Sequence, residues 1–389
     1  MKTKLKRVAR LVAGGTPTVD DEKNWATADS GLPWVSIGDM SDGRPVESTT
    51  RHVSNAGVES KRLPIGEAGT LLFAMYASVG AVGTLGVRAS WNQALLGIEA
   101  IPGTSDPRFI RYWLEHLKPD LAALSRSNTQ DNLNAEQVGN FPFPVMQLAE
   151  QRAIADYLDA ETARIDALIT KKQQLIHLLE ERWRALVDHT TSVGLSVRVR
   201  HITSLRTSGP RGWADRVGDL GQPFIRSGNL TRDTISLDTS DLARVTPPEL
   251  AEARRSSTEL GDTLVGITGA NTGWVASVDD PWANSYVSQH VAILRPSRCE
   301  PRWLTYSLFA PRSQDQLLGG QYGGTKTQLG LQDLAELEVS VPSTDEQQRL
   351  IQRLDSERRT RVRLVESVNS QISLMQERRQ ALITAAVSR

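Results

Sequence analysis

Two stretches of the chain carry apolar residues at spacings of three and four, the pattern of an amphipathic helix. Residues 147–190 place Ile154, Leu158, Ile165, Leu168, Leu175, Leu179 and Leu186 on one face. Residues 345–389 do the same with Leu350, Leu354, Leu364, Val368, Met375 and Leu382. Neither stretch contains proline or glycine. The heptad is imperfect, because Glu161, Lys172 and Arg182 fall in the first seam and Glu357, Arg361 and Gln371 in the second. One such helix alone would be expected to pack on a core. Two equivalent ones favour pairing with each other, as a spacer about 44 residues and roughly 65 Å long at about 1.5 Å per residue.

The rest of the chain has a different pattern. Short β-type runs such as Thr70-Leu71-Leu72-Phe73 and Val291-Ala292-Ile293-Leu294 are bounded by Gly, Asn and Pro turn signals. Segments 1–145 and 196–342 hold most of the Gly, Pro and Trp and read as mixed α/β modules with curved sheets. The expected organisation is therefore module 1–145, helix 146–195, module 196–342 and helix 343–389, an α+β chain.

This organisation is a duplication. At an offset of 196, Asn128-Thr129-Gln130-Asp131-Asn132-Leu133 lies over Gly324-Thr325-Lys326-Thr327-Gln328-Leu329, Glu150-Gln151 over Glu346-Gln347, and Leu158-Asp159 over Leu354-Asp355. Upstream the offset drifts, with Pro107-Arg108 over Pro301-Arg302 and Pro33-Trp34 over Pro223-Phe224, as small loop insertions would produce.

Composition narrows the class. The 45 Lys+Arg balance 45 Asp+Glu, which excludes a histone-like, tail-driven nucleic-acid binder but not a local basic surface. The single cysteine, Cys299, allows neither an internal disulfide nor a cysteine-based zinc site and fits a reducing, cytoplasmic setting. The basic start MKTKLKRVAR resembles a signal-peptide n-region, but Arg10 and Gly14-Gly15-Thr16-Pro17 cut the run that follows. No run is apolar enough for a membrane span.

No catalytic or metal constellation emerges. The six histidines form neither HExxH nor HxxxH. Gly80, Gly83 and Gly86 have the wrong spacing for a dinucleotide fingerprint, and Thr325 stands where a phosphate loop needs the glycine before its lysine, Lys326. Asn140-Phe141-Pro142-Phe143 has the wrong order for an amino-methyltransferase motif.

Two modules, each followed by a long helix that opens with Glu-Gln and Leu-Asp, closely resemble the specificity subunit of type I restriction-modification enzymes. The resemblance covers the whole chain. It rests on Gly14-Gly15-Thr16-Pro17 with Pro33-Trp34, on the loops at 130–133 and 326–329, and on Glu150-Gln151-Arg152-Ala153-Ile154 and Glu346-Gln347-Gln348-Arg349-Leu350. The second module departs at its start, where Ser208-Gly209-Pro210-Arg211-Gly212-Trp213 replaces the Gly-Gly-Thr-Pro pattern. The resemblance implies two target recognition domains, each reading half of a bipartite double-stranded DNA target, and an antiparallel coiled coil that sets the gap. It implies docking of two methyltransferase subunits and, in complete systems, of motor-nuclease subunits. The chain itself would carry no chemistry or cofactor; S-adenosylmethionine would sit on the methyltransferase, and ATP and Mg on the motor-nuclease. The alternatives are the same role in a modification-only or phage-defence system, or a protein-binding repeat scaffold.

On this reading the first DNA-contact candidates are Arg126, Asn128, Gln130 and Asn132, with Gln321, Tyr322, Lys326 and Gln328 in the second copy; amides suit adenine edges and cations suit phosphate or guanine. Their plainer alternative is solvated loop polarity. A second set is Tyr76 and Ser78 with Thr268, Asn271 and Thr272, where turn formation is the competing role. Arg226 and Asn229 form a third. Glu150, Gln151, Glu346 and Gln347 are expected at the partner surface or, alternatively, as helix-start caps. Charge is nearly even within each module, 15 positive against 15 negative in 1–145 and 15 against 16 in 196–342, so contacts must be local.

Overall fold

Leu71–Ala74 is buried at every position and forms the centre of the first unit's main sheet. That sheet runs in the order Ala9–Ala13, Leu95–Ala100, Leu71–Ala74, Val82–Leu85, Pro45–Val46, antiparallel except for the last pair. Continuous apolar runs suit such a strand because both of its faces are covered. In the second unit Thr263–Gly266 plays the same part, in the order Thr203–Ser208, Val291–Pro296, Thr263–Gly266, Val275–Ser277. The computed structural model describes residues 2–40, 44–127, 132–248, 251–319 and 328–388. The chain divides into Met1–Lys171 with Ser370–Arg389, and Lys172–Asn369.

A smaller sheet stands beside each main one. In the first unit it joins Trp25–Ala26, Arg51–Val53, Leu32–Val35 and Ser90–Trp91; in the second, Val217–Gly218, Ala243–Val245, Gln222–Ile225 and Tyr286–Val287. In both, the Pro-aromatic strand pairs in parallel with the strand that leads into the main sheet. The residue that follows the first strand of each main sheet is held against the end of that same strand. A Cβ on Gly14 would lie 2.0 Å from the Asn92 carbonyl oxygen, and one on Gly209 would lie 1.9 Å from that of Val287. Gly209 thus does the work of Gly14 although the surrounding motif differs.

The two long helices run over Leu148–Thr190 and Thr344–Val387. In the first unit Arg379 meets Asp166 at 3.2 Å, and in the second the Arg361 guanidinium lies 5.8 Å from the Trp183 ring centroid. Within each unit the two helix segments run antiparallel: Leu158 shares a cluster with Ile383 and the later Asp166 meets the earlier Arg379, and Trp183 faces Arg361 while the later Val187 shares a cluster with the earlier Leu354. The start of one helix and the end of the other close each core. Ala155, Leu158, Ile383 and Val387 join the cluster around Phe73 and Phe109 in the first unit. Leu354, Trp183 and Val187 join the cluster around Val265 and Leu304 in the second.

Polar clamps orient each helix start. Gln151, 1% exposed, donates to the carbonyls of Met146 (3.0 Å) and Thr104 (3.3 Å) and accepts the Asp106 N–H at 3.0 Å. Gln347, 2% exposed, donates to Pro342 O and accepts the Glu300 N–H, both at 2.8 Å. Two turns on, Asp159 accepts from the Tyr112 hydroxyl at 2.6 Å and from Arg108 at 2.9 Å. Asp355 accepts from Tyr306 at 2.5 Å and Arg302 at 3.2 Å. The expectation that Gln151 and Gln347 contribute to a partner surface is corrected by their burial: both amides are bonded inside the unit. Glu150 is exposed and Glu346 is half-buried beside Arg349, so only these two remain for a surface role.

Removing a clamp leaves buried backbone groups without partners, a loss of about 1–3 kcal/mol. Gln347→Ala should lower stability by that amount in chemical denaturation, whereas Gln348→Ala, on an exposed position, should change it little. Burial, and then the bond to Asp159, push the Tyr112 phenol up to about 12 from the ordinary 10.0. A raised folded value stabilises fully below the unfolded one and is lost as pH rises through the folded one. The stability of the parent should therefore fall between pH 10.0 and about 12, and the curve for Tyr112→Phe should be flatter there; parallel curves would contradict the clamp.

Candidate nucleic-acid interface

Candidate residues far apart in sequence converge at one corner of each unit. The Leu133 N–H donates to Met75 O at 3.0 Å, and the Leu329 N–H to Ile267 O at 2.8 Å. Asn132 is thereby brought beside Tyr76 and the turn containing Ser78. Gln328 pairs with Thr268 as an antiparallel β-bridge. A further segment joins from the smaller sheet: the Met75 N–H donates to Ala94 O (2.8 Å) and the Ile267 N–H to His290 O (2.9 Å). The Asn92 N–H in turn donates to Val35 O (3.0 Å) and the Ser288 N–H to Ile225 O (2.9 Å). The same backbone corner is built twice.

Side chains differ on this shared frame. Asn132, Ser78 and Gln328 are exposed; Tyr76 is half-buried with its ring against the core. The Arg126 backbone lies in the last turn of the helix Pro107–Ser127. Asn128, Gln130, Gln321, Tyr322 and Lys326 lie outside the described residues. Thr268 is half-buried, and its hydroxyl contacts His290 Nδ1.

Three candidates hold loops in place. Asn271 donates to the Ser227 (2.8 Å) and Leu230 (3.2 Å) carbonyls, and the buried Thr272 hydroxyl donates to Gly269 O at 2.7 Å. Asn229, 4% exposed, accepts the Arg226 N–H at 2.8 Å and donates to Asp238 O at 2.9 Å. Asp39 is its counterpart: it accepts from the Ser36 N–H (2.8 Å) and hydroxyl (2.6 Å) and from the Thr50 N–H (2.9 Å) and hydroxyl (2.7 Å). Burial pushes its carboxyl up, but these four bonds together hold it below the ordinary 3.8.

Arg226 pairs with Asp241 at 3.0 Å. Because both partners reach solvent, the pair holds at most about 1 kcal/mol, and a phosphate can displace the carboxylate cheaply. Arg226 also borders a cavity of about 610 Å³ in the second unit, walled by Trp213, Phe224, Asp241, Gln289 and His290. Gln93, Gln289 and His290 are exposed at the same corner and carry no sequence motif. The backbone bonds of the corner make Gln93 and Gln289 equivalent; the repeat offset, which has drifted to 194 at Pro107 and 190 at Pro33, does not align them in the sequence.

Among the described residues no group of three His, Cys, Asp or Glu side chains could hold a metal, and no helix is long and apolar enough to cross a membrane. Burial, reinforced by Glu300, pushes the Cys299 thiol up to about 12, which makes it a poor nucleophile near neutral pH.

The family model for the type I restriction modification DNA specificity domain matches residues 1–178 and 218–374. The type I restriction enzyme EcoBI specificity subunit of Escherichia coli is 22% identical over 292 residues, 68% of this chain and 61% of that protein. The match thus spans less than two thirds of that relative. A solved structure described as the structural basis underlying complex assembly and conformational transition of the type I R-M system covers 100% of this chain and 97% of its own, with a TM-score of 0.73 at 16% identity. The HsdS subunit from Thermoanaerobacter tengcongensis gives 0.47 at 16% identity, over 100% and 96%. The first of these structures shares the fold.

The bonds to Asp39 set one further expectation. A depressed carboxyl stabilises above its unfolded value and loses that contribution as pH falls through the folded one. Asp39→Ala should cost about 1–3 kcal/mol near neutral pH and weaken the acid dependence below 3.8; an unchanged acid limb in denaturation curves would refute this.

Proposed function

The chain belongs to the type I restriction modification DNA specificity family, and from that membership we propose that it directs a DNA-modifying complex to a bipartite duplex target. Each unit reads one half-site. The observation that carries this reading is the twice-built corner, where Leu133 meets Met75 and Leu329 meets Ile267. One backbone frame with two sets of polar side chains suits two half-sites of different sequence. The antiparallel helices set the gap, since paired helices are stiff where a Gly/Ser linker is not.

The partners are methyltransferase subunits, which carry S-adenosylmethionine and perform the transfer; ATP and Mg belong to a motor-nuclease subunit where one joins. The chain contributes no catalytic group. Exposed leucines support two copies of the partner. Leu168 and Leu364 occupy equivalent positions in the two long helices, as do Leu178 and Leu374. The first unit exposes Leu168 (48%) and Leu374 (63%), the second Leu178 (59%) and Leu364 (47%). Each unit thus offers one leucine from each helix. Near-neutral modules supply little phosphate attraction, so the partners provide most of it and the chain alone binds DNA weakly and with strong salt dependence.

Co-expression with its methyltransferase, followed by long-read methylation mapping of the host genome, should give one bipartite motif. Four residues inserted in the first long helix add about 6 Å and should lengthen the gap by about one or two base pairs at about 3.4 Å each, with both half-sites unchanged. Altered half-sites, or equal binding of target and scrambled duplexes at matched salt, would overturn the proposal; the latter would leave a protein-binding scaffold.

A further inference from the structure

We infer that Gln93 and Gln289 are equivalent base-reading side chains, each reading an adenine edge in its own half-site, and that His290 is a positioning residue for Gln289. The assignment rests on the DNA-reading function proposed above. Both glutamines are exposed, and each sits on the segment pinned between the two sheets by a pair of backbone hydrogen bonds. Met75 and Ile267 donate to the residue after each glutamine, and Val35 and Ile225 accept from the residue before it. An exposed amide on such a rigid corner needs little ordering when it meets a base edge.

Hydroxyl networks orient both amides, by different routes. In the first unit the Thr16 hydroxyl donates directly to Gln93 Oε1. A carbonyl oxygen has two acceptor positions, so one remains, together with both amide N–H groups. In the second unit Gln289 Nε2 lies 3.1 Å from His290 Nε2, and His290 Nδ1 contacts the Thr268 hydroxyl. An amide nitrogen only donates, so His290 Nε2 accepts and its Nδ1 carries the ring proton, which it gives to Thr268. Gln289 keeps its Oε1 and its other N–H for a ligand. One acceptor beside one donor is the fork that matches adenine, with N6–H donating to the carbonyl oxygen and N7 accepting from the amide.

The routes differ because the residue after the glutamine differs. Ala94 follows Gln93 and His290 follows Gln289. Beside His290 lies the cavity of about 610 Å³ with Arg226 on its wall, so the second unit adds a cation near its amide fork. The corner therefore gives both half-sites one base-reading element in common, while its surroundings distinguish them.

The test uses the assembled chain and methyltransferase, with the host genome as substrate and long-read methylation mapping as readout. Glutamate keeps the shape of glutamine, loses the donor for N7 and can accept from cytosine N4. Gln289→Glu should change the preference at one position of one half-site by about tenfold or more and leave the other half-site as in the parent. Gln93→Glu should do the same in the opposite half-site. His290→Ala installs the residue found at the equivalent place in the first unit, so the corner should fold; preference should weaken at the position that Gln289→Glu alters. Parent motifs retained by both glutamate variants would overturn the assignment while leaving the proposed function intact. A change at the same half-site from both variants, or loss of methylation with Gln289→Glu alongside an unaltered motif with His290→Ala, would also overturn it. A parent chain that yields no bipartite motif would overturn the underlying function and this assignment with it.

Discussion

The carboxylate at the head of each long helix is the contact on which the other features of a unit depend. Asp159 and Asp355 each gather a buried tyrosine hydroxyl and an arginine from the helix that follows the main sheet. A hydrogen bond to a charged group is worth about 1.5–3 kcal/mol, but its direction matters more here than its strength. Apolar contacts along Leu158 or Leu354 would tolerate rotation of the helix about its axis. A phenol and a guanidinium converging on one carboxylate do not, and Gln151 or Gln347 fixes the helix two turns earlier. Any reader that must present its surface at a defined angle to a spacer needs such a joint.

Repetition keeps the joint and the corner while allowing their side chains to diverge. Asp39 and Asn229 both hold the short turn after the Pro-aromatic strand, one by accepting four hydrogen bonds and the other by accepting and donating. Gly14 and Gly209 both let the chain leave the first strand of a main sheet close against a carbonyl, within motifs that share little else. What persists is the backbone geometry, because the path of the strands requires it. What varies is the polar chemistry on the exposed side, where, on the proposed function, a change of residue would alter what is read without disturbing the frame.

The parts legible in the sequence were those set by periodicity and duplication. Spacings of three and four marked both long helices, and apolar runs marked the strands Leu71–Ala74 and Val291–Pro296. Polar residues were read less well, because an amide looks the same in sequence whether it faces a base or a backbone carbonyl. Gln151 and Gln347 follow exposed or half-exposed glutamates and seemed part of one surface; one step along a helix turns a side chain by about 100 degrees, and they face inward. Asn229, Asn271 and Thr272 have the chemistry of base readers, yet their bonds close loops. Gln93 and Gln289 were not legible, since neither stands in a motif and the drifting repeat offset does not align them; only the backbone bonds of the corner make them equivalent.

The proposed function would separate charge from reading, for a physical reason. Phosphate attraction is long-ranged and indifferent to sequence, and a strongly basic module would bind any duplex tightly. The arginine beside the candidate surface is tempered instead, Arg226 by Asp241. An exposed pair such as Arg226–Asp241 opens at little cost when a phosphate arrives, but offers little net attraction beforehand. Under the proposed function, a nearly neutral reader would gain its discrimination from short-range hydrogen bonds, which a wrong base leaves unsatisfied, and would rely on partner subunits for affinity. On that proposal, zero net charge is compatible with DNA recognition: excess positive charge on the modules would raise binding to every sequence and dilute the difference between them.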